Sequence, residues 1–170
     1  MIRNEAELKS LLNQHLETAL NNTIQIALEK LLDYIESDVY SYPAVWTNGG
    51  GGESGRTREF LDSWGSTKAT MLSNMSQVVY TAQILQDKPL EHISPFIHGS
   101  EYYNGVLNEN NLNAIINEGL SKSNFNFPAI KARPFWEHFT EWCDKNLDNI
   151  FIKQCKLIGI PIQQFSYTVG

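Results

Sequence analysis

The sequence predicts an α/β (α+β) fold in which a long N-terminal helix and a C-terminal helix pack on a small, mainly antiparallel sheet. Three patterns predict it. Apolar residues recur at three- and four-residue spacing from Glu5 to Glu36 with no internal Gly or Pro, and a second such run, rich in large aromatics, follows Pro134. Between them lie short stretches of alternating residues rich in Val, Tyr, Thr and Ile. A chain of 170 residues that is 42% hydrophobic can bury a real core. It reads as a single domain over residues 1–170 with a flexible Gly-rich loop at 47–55.

In the first element Leu8, Leu11, Leu12, Leu16, Ala19, Leu20, Ile24, Ala27, Leu28, Leu31, Leu32 and Ile35 form one helical face. Unbroken, that helix is about 45–50 Å long, more than a domain of this size encloses. Asn21-Asn22-Thr23 offers a kink or break, and two shorter helices folded on one core are the alternative. A helix that outreaches its core needs a further surface to lie against, from its own chain or from another subunit.

Val39 to Trp46 is aromatic-rich, interrupted by Pro43, and leads through Asn48 into Gly49–Gly52, Glu53, Ser54 and Gly55. Successive glycines maximise backbone freedom, so this is a loop. It is not a phosphate-binding loop, because no Lys-Ser or Lys-Thr follows the glycines and Pro43 interrupts the stretch where a strand should precede them. It is either a surface insertion, which costs little, or a segment that orders on contact with a partner.

Arg56 to Trp64 is expected to form a short helix with Phe60, Leu61 and Trp64 on one side and an Arg58–Asp62 pair at i,i+4 spacing. Lys68–Leu72 and Ser76–Leu85 are expected to extend and pair antiparallel, since Ser73-Asn74-Met75 is too short for a parallel crossover. Both sides of the second segment are apolar, which predicts a central strand or one covered on both faces. Asp87–Leu90 reads as a turn and Ile93–His98 as irregular. Leu107–Glu118 reads as a helix stopped by Gly119. Pro134 takes the first position of the last helix, where its missing donor costs nothing. Phe135, Trp136, Phe139, Trp142, Cys143, Leu147, Ile150, Phe151 and Cys155 form a stripe expected to pack on a sheet face. Phe165, Tyr167 and Val169 alternate as in a terminal edge strand.

The net charge of -6 opposes strong attraction to nucleic acid or anionic lipid, and only two short basic patches occur, Arg56 with Arg58 and Lys131 with Arg133. No apolar run approaches the roughly 20 residues that cross a bilayer, and Met1–Glu7 runs into polar helical sequence without a signal segment. The expectation is a cytoplasmically made chain without a membrane span. Cys143 and Cys155 lie about 18 Å apart along one predicted helix, too far to pair, and are expected to be reduced. His92 and His98 lack a third ligand at metal spacing, and His138 with Glu141 reads as a solvated pair. Ser63, Ser66 and Ser100 lack a nucleophile-elbow pattern. No catalytic, cofactor or metal site is therefore expected. Arg133 stands at a helix start, where positive charge gains nothing from that helix's dipole. It suits either a carboxylate on a neighbouring chain, held by the guanidinium fork, or packing at its own domain edge.

Three groups of residues, in order, carry a resemblance. Val39-Tyr40-Ser41-Tyr42-Pro43-Ala44 precedes Arg56-Thr57-Arg58-Glu59-Phe60-Leu61-Asp62-Ser63-Trp64. The two strand-like segments follow. Ile116-Asn117-Glu118-Gly119 then leads to Ala132-Arg133-Pro134-Phe135-Trp136. Together, from roughly Glu5 to Ile158, they resemble the tail-completion, or head-to-tail joining, minor tail protein family of tailed bacteriophages. In that family an Arg-Thr-Gly-x-Leu-x-x-Ser pattern follows the first helix, and a Gly-containing segment precedes an Ala-Arg-Pro-Phe helix start. This chain departs at Arg58, where the family commonly has Gly, and in carrying Gly49–Gly52.

The resemblance implies a long N-terminal helix against a small sheet, and a virion protein without enzymatic activity or cofactor. It implies a homo-oligomeric ring in the neck or tail, hexameric by resemblance, meeting the head connector or stopper and tail-tube proteins. DNA would pass through the ring without specific binding. Carried onto this chain, Arg56 and Leu61 belong to the family's loop and helix, and Arg133, Pro134, Phe135 and Trp136 to the helix start that braces the sheet. Arg58 and Trp64 complete the interface or motif candidates. The rival readings are a tail-assembly chaperone that leaves before maturation, a small enzyme using His92 or His98, and a host-directed binding module.

Overall fold

The computed structural model describes residues 4–41, 58–73, 78–88, 112–119, 132–160 and 162. Helix α1 spans Glu5–Tyr34 and passes into a π-helical turn, Ile35–Tyr40. A short helix α2, Glu59–Asp62, precedes strands β1 Trp64–Ser66, β2 Thr70–Ser73, β3 Val78–Thr81 and β4 Ile84–Gln86. Helices α3, Leu112–Glu118, and α4, Phe135–Leu157, follow. The predicted class holds: a long N-terminal helix, a C-terminal helix and small antiparallel strand pairs, β1 with β4 and β2 with β3.

Asn4 starts α1. Its side-chain oxygen accepts the Glu7 amide at 2.9 Å and its carbonyl takes the Leu8 amide at 3.2 Å, satisfying donors that a helix start leaves open. Glu5 and Glu7 in the first turn oppose the positive end of the dipole. The helix then runs 30 residues without a break. Asn21–Thr23 does not interrupt it because their side chains find other partners. Buried Thr23 donates Oγ1 back to the Ala19 carbonyl at 2.8 Å, and Asn21 Oδ1 accepts the Ala69 amide at 2.7 Å. Ala19, Thr23, Ala27, Leu31, Ile35 and Val39 are all buried, at strict four-residue steps. That row is one ridge of the helix surface. The π turn closes with the Ser41 amide on the Glu36 carbonyl at 3.1 Å, a five-residue bond.

The chain divides into two compact units, residues 1–30, 65–85 and 140–170, and residues 31–64 and 86–139. In the first, a polar row on α1 holds the strands. Asn13 accepts the Tyr80 hydroxyl, Asn21 takes the Ala69 amide, and Gln25 Nε2 donates to Ser66 Oγ at 2.6 Å. Strands β2 and β3 pair antiparallel, with Thr70 opposite Thr81, Met71 opposite Tyr80 and Leu72 opposite Val79. The Tyr80 side of this hairpin turns to α1. On the other side the Thr70 and Thr81 hydroxyls meet at 3.2 Å and Leu72 is 62% exposed.

The expected single strand over Ser76–Leu85 is therefore corrected. It breaks at Ala82-Gln83, so that β3 serves β2 and β4 serves β1, and one hairpin face lies in solvent. Thr67 and Gln83 fix the break, with the Thr67 amide on the Gln83 carbonyl at 2.8 Å and the Gln83 amide on Thr67 Oγ1 at 2.9 Å.

The core of this unit is Ala19, Phe151 and Cys155, with Leu16, Leu20, Ile158, Ile160 and Ile162 packed around them. Helix α4 ends at Gly159, whose φ of +83° suits glycine, and the Ile160 amide closes back on the Cys155 carbonyl at 2.9 Å. Cys143 and Cys155 are free and buried. The loop expected at 47–55, the irregular stretch Ile93–His98, the first turn of the helix expected from Leu107, and the terminal strand around Phe165–Val169 lie outside the described residues.

Candidate functional site

The second unit gathers most of the residues singled out in the sequence. Of the helix expected from Arg56 to Trp64, Glu59–Asp62 is the helical part among the described residues, and Trp64 opens β1 instead of ending that helix. Arg58 sits just before α2 with φ +59°, among the described residues the one non-glycine in the left-handed region. Such a conformation crowds Cβ against the following carbonyl and costs an ordinary residue about 1–2 kcal/mol. Because Arg58 stands outside the helix, its side chain does not form the expected pair with Asp62. It grips Glu36 with both terminal guanidinium nitrogens, Nη1 to Oε1 at 3.1 Å and Nη2 to Oε2, and lies 5.4 Å from the centre of the Tyr40 ring. Tyr40 Oη in turn accepts the Leu61 amide at 3.4 Å. These contacts tie together the two chain ends that flank residues 42–57.

Ser63 is the polar centre of the unit at 1% exposure. Its hydroxyl donates to the Phe60 carbonyl at 2.9 Å and accepts Gln86 Nε2 at 2.7 Å, while Gln86 Oε1 accepts Asn113 Nδ2 at 3.1 Å. The Ser63 carbonyl takes the Asp87 amide at 2.8 Å. One buried hydroxyl thus links α2, the end of β4 and α3, and each member of such a chain depends on the others.

Aromatic rings fill the space beside it. Phe60 meets Phe135 edge to face at 5.6 Å between centroids, and Trp64 stacks on Trp136 at 5.9 Å with planes 24° apart. Phe135 is 1% exposed. The start of α4 is thus anchored by side chains from α2 and β1, geometry worth about 0.5–1.5 kcal/mol per pair beyond area burial.

The segment before α4 is fastened to α3. The Arg133 amide reaches the carbonyls of Ile116 and Asn117 at 2.9 and 3.2 Å, closing α3 just before Gly119, whose φ is +80°. Asn117 Oδ1 accepts the Trp136 amide at 3.1 Å and its Nδ2 donates to Glu137 at 2.7 Å. Pro134 precedes the helix rather than occupying its first position, and its carbonyl accepts the His138 amide at 3.1 Å. With no amide hydrogen of its own, Pro134 leaves no donor open there.

Arg133 Nη1 donates to the Val39 carbonyl at 3.1 Å. Its charge therefore stands at the carboxyl end of the first helix, where carbonyl dipoles favour a cation, although it gains nothing from the start of its own helix. His138 Nδ1 lies 2.7 Å from Asp38 Oδ2 and its ring 5.9 Å from Tyr34. The expected His138–Glu141 pair is not made, since Glu141 meets Lys145 at 3.3 Å.

Of the sequence candidates, Arg58, Trp64, Arg133, Pro134, Phe135 and Trp136 converge here, while Leu61 is half-buried and Arg56 lies outside the described residues. Phe60, Ser63, Gln86 and Asn117 were missed. Phe60 and Ser63 are both buried, at 5% and 1% exposure.

Among the described residues no group of three or more His, Cys, Asp or Glu could hold a metal ion, and no helix is long and apolar enough to cross a membrane. Burial, with a smaller contribution from Asp144, pushes the Cys143 thiol up to about 11, and burial also raises Cys155. Both are poor nucleophiles at neutral pH. Comparison with family models, curated proteins and solved structures gave no match in any of the three. What the geometry offers is a braced, aromatic-filled scaffold around the start of α4.

Proposed function

We propose that this protein is a structural component of a phage neck or tail, not an enzyme, and that it forms a homo-oligomeric ring completing the tail or joining it to the head connector. The observation that carries the reading is Arg58. The chain holds a left-handed backbone, φ +59°, at the position where the family's Arg-Thr-Gly-x-Leu-x-x-Ser pattern has glycine. Glycine is the residue that takes this conformation at no steric cost. The same turn with a different residue is what a divergent member would carry. Phe60 and Ser63, buried at the positions of the pattern's Leu and Ser, support the same alignment.

In this reading the chain is made in the host cytoplasm and incorporated into the virion, where it meets the connector or stopper on one side and tail-tube proteins on the other. The net charge of -6 keeps passing DNA from adhering. Quantitative mass spectrometry of purified particles tests this, with several copies per particle expected. Deleting the gene should give filled heads and finished tails that do not join. Infectious particles that lack the protein would instead point to a chaperone that leaves before maturation.

A further inference from the structure

The first turns of α1 carry an apolar face that is exposed among the described residues. Leu8, Leu11 and Leu12 are 50%, 39% and 42% exposed, and their three- and four-residue spacing places them side by side. Leu16 and Leu20, farther along the helix, pack against Ala19, Phe151 and Cys155. The exposed leucines thus continue a row that becomes core. Glu5, in an exposed ion pair with Lys9 at 2.7 Å, and Glu7 flank them in the first turn.

The carboxyl end of α4 has the opposite charge around the same chemistry. Leu157 is 70% exposed, Lys153 shares its ridge four residues earlier, and Lys156 adjoins it in the last turn. Dipole compensation accounts for acids at a helix start and bases at a helix end. It does not account for the leucines between them. An apolar centre with a charged rim is the anatomy of a protein interface.

We infer that the leucine face of α1 docks a second copy of this chain, seated on the Lys153–Leu157 end of the neighbour's α4 with Glu5 and Glu7 across from Lys153 and Lys156. Two different surfaces meet, so the contact is heterologous and passes from copy to copy, making a ring where its rotation closes. It rests on the ring reading above and names the surface that makes the ring.

Sedimentation velocity of the full chain over a range of concentrations tests it. The wild type is expected to self-associate. Leu8→Glu with Leu12→Glu should weaken association by about a hundredfold or more, because two apolar anchors are lost and two charges are buried. Lys153→Glu with Lys156→Glu should weaken it too, and combining that pair with Glu5→Lys and Glu7→Lys should restore it. Far-UV circular dichroism should be unchanged throughout, since all these positions lie on the surface. Equal assembly by the wild type and the leucine variant overturns the surface and leaves the ring reading standing. A wild type that stays monomeric at every concentration also overturns the surface, and particle composition then judges the ring reading separately.

Discussion

The two ends of the first helix are held by opposite means. At its carboxyl end Leu31, Ile35 and Val39 are buried, Glu36 is gripped by Arg58, Asp38 meets His138 and the Val39 carbonyl accepts Arg133. At its amino end Asn4 supplies the cap, the Lys9–Glu5 pair is 71% and 78% exposed, and three leucines face water. The same apolar spacing produces both ends, so spacing alone does not decide what is buried. What decides it is whether distant sequence returns to cover the face. A helix of this length draws little stability from its own hydrogen bonds and much from that cover.

The sharpest way to break the contrast is at the ring cluster that seats α4 in the covered unit. Phe135→Ala should cost about 3–5 kcal/mol in urea unfolding, because Phe135 is 1% exposed and its neighbours, Phe60 and Trp64, cannot collapse into the space. A loss under about 1 kcal/mol would mean that this end is not packed as described. Ser63→Ala should cost about 1–3 kcal/mol, measured in the same way, since Gln86 then loses its buried acceptor.

Arg58 separates backbone strain from ion pairing. Both members of its pair with Glu36 are 49% exposed, so that pair is worth under about 1 kcal/mol. Arg58→Ala loses the pair and keeps the strain, whereas Arg58→Gly loses the pair and relieves it. Thermal unfolding should therefore find the glycine variant the more stable by about 1 kcal/mol. An alanine variant as stable as the glycine variant would remove the left-handed turn from the argument. The smallest effect belongs to the bare end, where Leu8→Ala should change monomer stability by no more than about 0.5 kcal/mol.

The long helix was legible because its apolar rhythm is local and uninterrupted. Its continuity through Asn21–Thr23 was not, since the group that occupies Asn21, the Ala69 amide, lies far along the chain. Gly119 could be read as a stop from its neighbours alone. Trp64 could not be read as a strand residue, because β1 exists only by pairing with β4. Phe135 and Trp136 announced a buried helix start, but the choice of Phe60 and Trp64 as partners is tertiary. Arg58 and His138 were each given a partner on their own helix, and both turned instead to the end of α1, to Glu36 and Asp38. Local spacing proposes pairs that long-range geometry overrules.

The π turn has a rotational consequence. An α-helix turns through about 100° per residue, so a row of positions four apart swings about 40° around the axis with each step. From Ala19 to Ile35 the buried row takes four such steps and winds about 160°, close to half-way round the helix. A π turn packs more residues into each revolution, so the next step, Ile35 to Val39, stops short of a full circle and swings back. The wide turn resets the phase of the helix. It brings Glu36, Asp38 and the Val39 carbonyl round to the bearings at which Arg58, His138 and Arg133 meet them, bearings that the same residues in an unbroken α-helix would have passed.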